Sequence, residues 1–145
     1  MLLIDTGAGI SAQVMQFLGL AQEMIVVTTP NLASTLDAYG IIKVARESRL
    51  AAHVSILVNV TDEDAEETST FARLSGCSQR FLQFVPGSLG SLRRDCAVEA
   101  ANQNRRPLVL AQPASENARR LRAMAARLLE EKPGSGAAHP LSHAA

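Results

Sequence analysis

Apolar residues in this chain fall alternately into short continuous runs and into series with helical spacing. Residues 2–5 (LLID) form a short apolar run, which predicts a buried strand turning through Gly7 and Gly9. From Ser11 onward, Val14, Phe17, Leu18 and Ala21 recur at three- and four-residue spacing, predicting a helix with Ser11 as its N-cap. Residues 24–29 (MIVVTT) are β-branched and apolar, a second strand that Pro30 stops. Ser34 can cap a helix that carries Leu36, Tyr39, Ile41, Ile42 and Val44 towards the core. Residues 53–59 (HVSILVN) read as a third strand, apolar enough for burial in a parallel sheet. Asp62 or Thr61 then caps a helix beginning DEDAEETSTFARL, whose acidic first turn suits the positive end of the helix dipole. A fourth strand falls at residues 81–85 or 89–92, and helices follow around 95–104 and 115–131.

Strand and helix alternate, so the expected fold class is α/β with a mostly parallel sheet. A chain of 145 residues is one domain's worth and long enough to bury a core. We expect residues 1–131 to form the domain and 132–145, rich in Pro, Gly, Ser and Ala, to be a disordered tail. Fourteen basic residues balance fourteen acidic ones, and aromatics make up 3%, so no field or stacking platform argues for nucleic acid. Cys77 and Cys96 are far apart and in no CxxC arrangement, as in a reducing compartment. No signal-peptide pattern follows Met1, and no apolar run approaches the roughly 18–20 residues of a membrane span. A cytoplasmic location is the expectation.

Two functional readings compete for the opening turn. Gly7-Ala8-Gly9-Ile10-Ser11-Ala12 matches the dinucleotide fingerprint G-x-G-x-x-G/A between a strand and a helix. That reading also requires an acid at the end of the second strand to bind ribose hydroxyls, whereas the sequence there is Thr28-Thr29-Pro30-Asn31. The other reading centres on Asp5. An acid ending an apolar strand, followed by a glycine turn, is the Walker B arrangement of P-loop NTPases, in which the carboxylate holds Mg²⁺. The plain alternative is an Asp that caps the helix ahead.

The surrounding residues favour the second reading. The run LLIDTGAGISAQVMQFLGLAQEMIVVTTPNLASTLDAYGIIKVARE closely resembles the MinD/ParA-type ATPases, and within them the FlhG branch, also called YlxH or FleN, which helps set flagellar number and placement. DTGAGI is similar to that branch's Walker B and switch II segment, and ILVN to the stretch whose Asn, here Asn59, recognises adenine. The series Leu89-Gly90-Ser91-Leu92-Arg93-Arg94-Asp95, then Val98, Ala101 and Arg106-Pro107, keeps the spacing of the family's purine-side loop, with Arg93 in place of the usual Pro. An alternative register through Val85-Pro86 lacks the following Asp.

The resemblance implies a P-loop NTPase-like three-layer sandwich that binds ATP or ADP with Mg²⁺. Asp5 would be the carboxylate on the Mg²⁺ side, through water, and Gly7 and Gly9 the switch turn at the γ-phosphate. Asn59 would read adenine, with Arg94 and Asp95 near the base. It also implies a homodimer and an FlhF-like flagellar GTPase as partner. A glycine-rich loop with GK[ST] is not found in these 145 residues, so the match is to the C-terminal half of such an ATPase, from Walker B onward. We expect no ATP hydrolysis by this chain alone, because the phosphate cradle supplies most of the stabilisation of phosphoryl transfer. A P-loop half on another polypeptide, or a non-catalytic scaffold role, are the alternatives.

The remaining candidates have plain readings. His53, His139 and His143 show no metal spacing, and Ser75-Gly76-Cys77-Ser78 is expected to be a loop without a partnered base. Arg93, Arg94, Arg105, Arg106, Arg119, Arg120 and Arg122 read as a solvated basic face or as a nucleotide or partner contact. Leu121, Met124, Ala125 and Leu128 form a helix stripe that packing onto the domain explains, and the tail holds no second amphipathic segment for membrane anchoring. Apolar Leu2, Leu3 and Ile4 without a neighbouring P-loop strand would be an association liability. The chain should therefore self-associate in sedimentation velocity, and a monodisperse monomer that melts cooperatively would contradict this.

Overall fold

The structure is a computed structural model that describes residues 1–50 and 53–130. The predicted tail lies outside the described residues. Helix α1 (Ala12–Leu20) begins where Ser11 accepts a hydrogen bond from the Val14 N–H, and it buries Val14 and Leu18. Strand β1 (Glu23–Thr28) follows, then α2 (Leu32–Glu47), β2 (His53–Thr61), α3 (Asp64–Leu82) and β3 (Gly87–Arg93). The chain continues through α4 (Cys96–Gln103), the single turn α5 (Leu108–Ala111) and α6 (Glu116–Glu130).

The strands form one all-parallel sheet in the order β1-β2-β3. Parallel neighbours need a crossover long enough to hold a helix, and α2 and α3 are those crossovers. The fold is therefore α/β, as expected. In-register pairs Met24–Val54, Val26–Ile56 and Thr28–Val58 turn buried side chains to one face. Against that face pack Ala38, Ile42 and Ala45 of α2 and Leu74 of α3, with Val14 and Leu18 of α1 in the same core. The alternate residues of β1 point the other way, and Val27 is 57% exposed.

Several local expectations change. Residues 2–5 form no strand, and Leu2, Leu3 and Ile4 are exposed. A strand exists only through hydrogen bonds to a neighbour, and among the described residues none lies beside this segment. Asn31, not Ser34, caps α2, accepting from Ala33 N–H at 2.8 Å. Ser34 instead ties the end of β1 to the helix, with its Oγ accepting from Thr29 N–H and lying 3.1 Å from Thr28 Oγ1. Along α2, Thr35, Ala38, Ile42 and Ala45 are buried and Leu36 is exposed. Glu63 is the N-cap of α3, and the Glu66 carboxylate reaches back to the Asp62 N–H, so neither Thr61 nor Asp62 has the capping role. Helix α3 runs on through Ser75, Gly76, Cys77 and Ser78, where a loop was expected, because buried Leu74 and Ser78 keep its helical stripe against the sheet. It also takes in Phe81, leaving the later of the two candidate fourth strands as β3.

The outer edge of β3 is closed by a side chain. Asn117 of α6 accepts from Arg93 N–H at 2.9 Å and donates to the Arg93 carbonyl at 2.8 Å, the same pair of bonds a neighbouring strand would make. Asn117 is 1% exposed, so both bonds sit away from water. Close approach of α6 also requires Gly90, whose φ is +111° and at which a Cβ would come within 3.3 Å of Met124 Cε. Leaving buried backbone groups unpaired costs about 1–3 kcal/mol each. Asn117→Ala should lower the unfolding free energy by about 2–4 kcal/mol in urea titration, on the same scale of one to two unpaired groups. Asn117→Asp, which keeps the acceptor and loses the donor, should also destabilise.

Candidate functional site

In open parallel sheets, ligands bind outside the carboxyl ends of the strands, where loops to the following helices leave backbone groups unpaired. Three segments meet at that end here: Thr28-Thr29 after β1, Asn59 to Thr61 at the end of β2, and Arg93 to Asp95 at the end of β3.

The end of β2 is irregular. Val54, Ile56 and Val58 alternate into the core, and Thr61 is again buried, so Asn59 and Val60 together occupy what would be an odd number of places. The register with β3 shifts at that point, between Val58 paired with Ser91 and Thr61 paired with Arg93. This bulge leaves two consecutive side chains, an amide and a β-branched apolar group, outside the core. Val60 has φ +59°, a left-handed conformation that its branched side chain disfavours. Its N–H donates to Oδ1 of Asn59 at 2.9 Å, which turns the amide oxygen back to the chain and leaves the Nδ2 donors available. Thr61 then resumes pairing, with its hydroxyl donating to the Leu92 carbonyl and its own carbonyl accepting from Arg94 N–H.

Arg94 and Asp95 follow directly. The Arg94 guanidinium bonds Asp62 at 2.9 Å, and both groups are more than half exposed, so the pair holds its geometry weakly. Asp95 caps α4, accepting from Ala97 N–H at 2.8 Å, which commits one carboxylate oxygen to the helix. Asn59, at the end of β2, and Arg94 and Asp95, just after β3, therefore lie at the ends of two paired strands. Asp5, Gly7 and Gly9 lie on the exposed segment ahead of α1, away from any strand. Gly9 has φ +93°, a turn conformation that glycine accepts freely. Among the described residues no group of three or more His, Cys, Asp or Glu side chains is placed to hold a metal.

A polar network beneath the site escaped sequence reasoning. Arg93 reaches Asp64 at 2.6 Å and the Asp62 carbonyl at 2.7 Å, while its Nε is buried without a hydrogen-bond partner. Buried Ser91 donates to Glu67 of α3 and accepts from Arg120 of α6 at 2.8 Å, and Arg120 also bonds Glu116 and Asp64. Partial burial works to lower the Arg120 pKa, but the hydrogen bond and charge of Glu116, and then those of Asp64, outweigh it and hold the guanidinium above its usual value. The residues come from three separate elements, so no local spacing announces them. The only local sign was the acidic first turn of α3.

Backbone strain of the Val60 kind costs on the order of 1–3 kcal/mol, and glycine at the same position escapes it. Val60→Gly should therefore raise stability by about 1 kcal/mol, seen as a higher urea midpoint at unchanged slope, whereas Val60→Ile should give no gain.

No helix of the described residues is long and apolar enough to cross a membrane. No family model matches the chain. It is 30% identical over 127 residues to the antiactivator FleN of Pseudomonas aeruginosa, a match covering 88% of this chain and 45% of FleN. It is 33% identical over 73 residues to the flagellum site-determining protein YlxH of Helicobacter pylori, covering 50% of this chain and 24% of YlxH. The chain thus spans less than half the length of the relatives it matches. With an all-parallel α/β sheet and matches that run over half to most of its length, this chain is similar to part of the FleN and YlxH proteins, which are of the MinD/ParA type.

Proposed function

We propose that this chain forms the purine side of a nucleotide site in a MinD/ParA-type positioning regulator, of flagellar number or placement or of the cell-division type. The observation that carries the reading is the bulge at the end of β2, which holds the Asn59 amide outside the core beside Arg94 and Asp95 at the carboxyl end of a parallel sheet. Its relatedness to the antiactivator FleN and the site-determining protein YlxH supports the regulatory role.

The ligand is ATP or ADP with Mg²⁺. Asn59 recognises the base through its Nδ2 donors, and Arg94 can leave its exposed pairing with Asp62 to meet a ligand at little cost. Asp95 keeps α4 in place next to the base through its cap. Asp5 serves the metal through water, and Gly7 and Gly9 serve the γ-phosphate. As one carboxylate on an exposed segment, Asp5 needs phosphate oxygens and further ligands to complete a cation site. Hydrolysis therefore depends on a phosphate-binding loop beyond these 145 residues, in a homodimer or a complementing P-loop half, and an FlhF-like GTPase is the expected partner in the flagellar role.

A second reading, a non-catalytic interaction scaffold, is favoured by the position of Asp5, Gly7 and Gly9 on a segment that pairs with no strand among the described residues. Titration with MgADP and MgATP separates the two. The nucleotide reading predicts a rise in melting temperature at millimolar nucleotide that Asn59→Ala abolishes, with Asp5→Ala removing the dependence on Mg²⁺. An unchanged melting temperature throughout leaves the scaffold.

A further inference from the structure

The stripe of Leu121, Met124, Ala125 and Leu128 was expected to pack onto the domain, and α6 does so only in part, burying Met124 and leaving Ala125 exposed. It docks through buried Asn117, Ala118 and Met124, with Arg120 turned inward to Ser91 and Asp64. Leu121 and Ala125 instead line a recess of about 450 Å³ between α5 and α6, completed by Val109, Leu110 and Arg122. Leu110 is 67% exposed at its rim.

The charged residue that lines this recess is an arginine. Arg122 forms its wall, held there by hydrogen bonds to the Val109 and Pro113 carbonyls at 2.9 and 2.7 Å. Arg119 is anchored to the Ala114 carbonyl in the same way. Both guanidiniums are thus pre-positioned by backbone acceptors, which satisfy donors without cancelling charge. Among the described residues neither Arg119 nor Arg122 forms an ion pair.

We propose that the α5–α6 recess is a docking site for an acidic peptide segment of a partner protein, one apolar side chain entering the recess and carboxylates meeting the surrounding arginines. Uncancelled cations beside an apolar slot are complementary to that chemistry and repel a basic segment. A concave slot favours one inserted side chain over a flat lipid surface, into which apolar groups must protrude. The chain's own residues 131–145 contain a single acid, Glu131, followed by Lys132, and so lack the required charge. This surface is separate from the strand ends of the proposed nucleotide site and does not depend on that reading.

The test is selection of short random peptides displayed on phage against the full chain, followed by fluorescence anisotropy of the enriched sequences. Enriched peptides should carry several Asp or Glu around one large apolar residue, and their affinity should fall as salt is raised. Leu110→Asp and Arg119→Glu, both at exposed positions, should each weaken binding by about tenfold at unchanged melting temperature. Peptides that are neutral or basic, or that bind both variants as well as the parent, would overturn the proposal. So would failure to enrich any sequence. Sedimentation with phosphatidylglycerol vesicles that is lost in the same variants would assign the surface to lipid. Self-association lost in Arg119→Glu would assign it to a second copy, whose acidic residues 62–67 would be the counterpart.

Discussion

Pairing of β2 on both of its edges is the constraint from which the rest of the structure follows. A strand hydrogen-bonded to parallel neighbours on either side cannot reach water through its backbone, so its exposure is decided by what covers its faces. One face is covered by α2 and α3, and Val54, Ile56 and Val58 are the apolar residues that make this covering favourable. The strand can open to a ligand only at its carboxyl end. There the bulge at Asn59 and Val60 interrupts the alternation, and the amide comes out of the core at the place where the parallel arrangement leaves room.

The two edges of the sheet are treated differently. At β3 the Asn117 amide substitutes for a strand, and buried hydrogen bonds of this kind matter more to stability than the exposed pair of Arg94 and Asp62. Ser91, Glu67 and Arg120 join β3 to α3 and α6 below it, so the platform under Arg94 and Asp95 is tied from three directions. At β1 no described strand adds to the outer edge, and Val27 and the apolar residues 2–4 are left exposed. That asymmetry separates the β3 side of the sheet, which carries Arg94 and Asp95, from the side with the exposed segment that carries Asp5, Gly7 and Gly9.

Much of this was legible in the chain. The continuous apolar runs of β1 and β2, the capping residue Ser11 and the acidic start of α3 each act within a few residues, and the structure uses them as read. Errors arose where a local signal competed with packing. Ser34 has a good capping side chain, but Asn31 begins α2 a turn earlier, and the helix buries Thr35, Ala38, Ile42 and Ala45 while Leu36 stays exposed. Gly76 and its serine neighbours look like a loop, but Leu74 and Ser78 hold them helical against the sheet. Residues 2–5 look like a strand and lack the partner that would make them one.

The sequence by itself determined the α/β alternation and the parallel strands β1 and β2. These depend on periodicity and short-range hydrogen bonding, which a linear text records. Only the tertiary structure decided that Asn117 closes the edge of β3, that Arg120 faces inward while Arg122 lines an open recess, and that Val60 takes a left-handed backbone. Each of those outcomes depends on groups brought together from distant parts of the chain, and their energies exist only once the elements have packed.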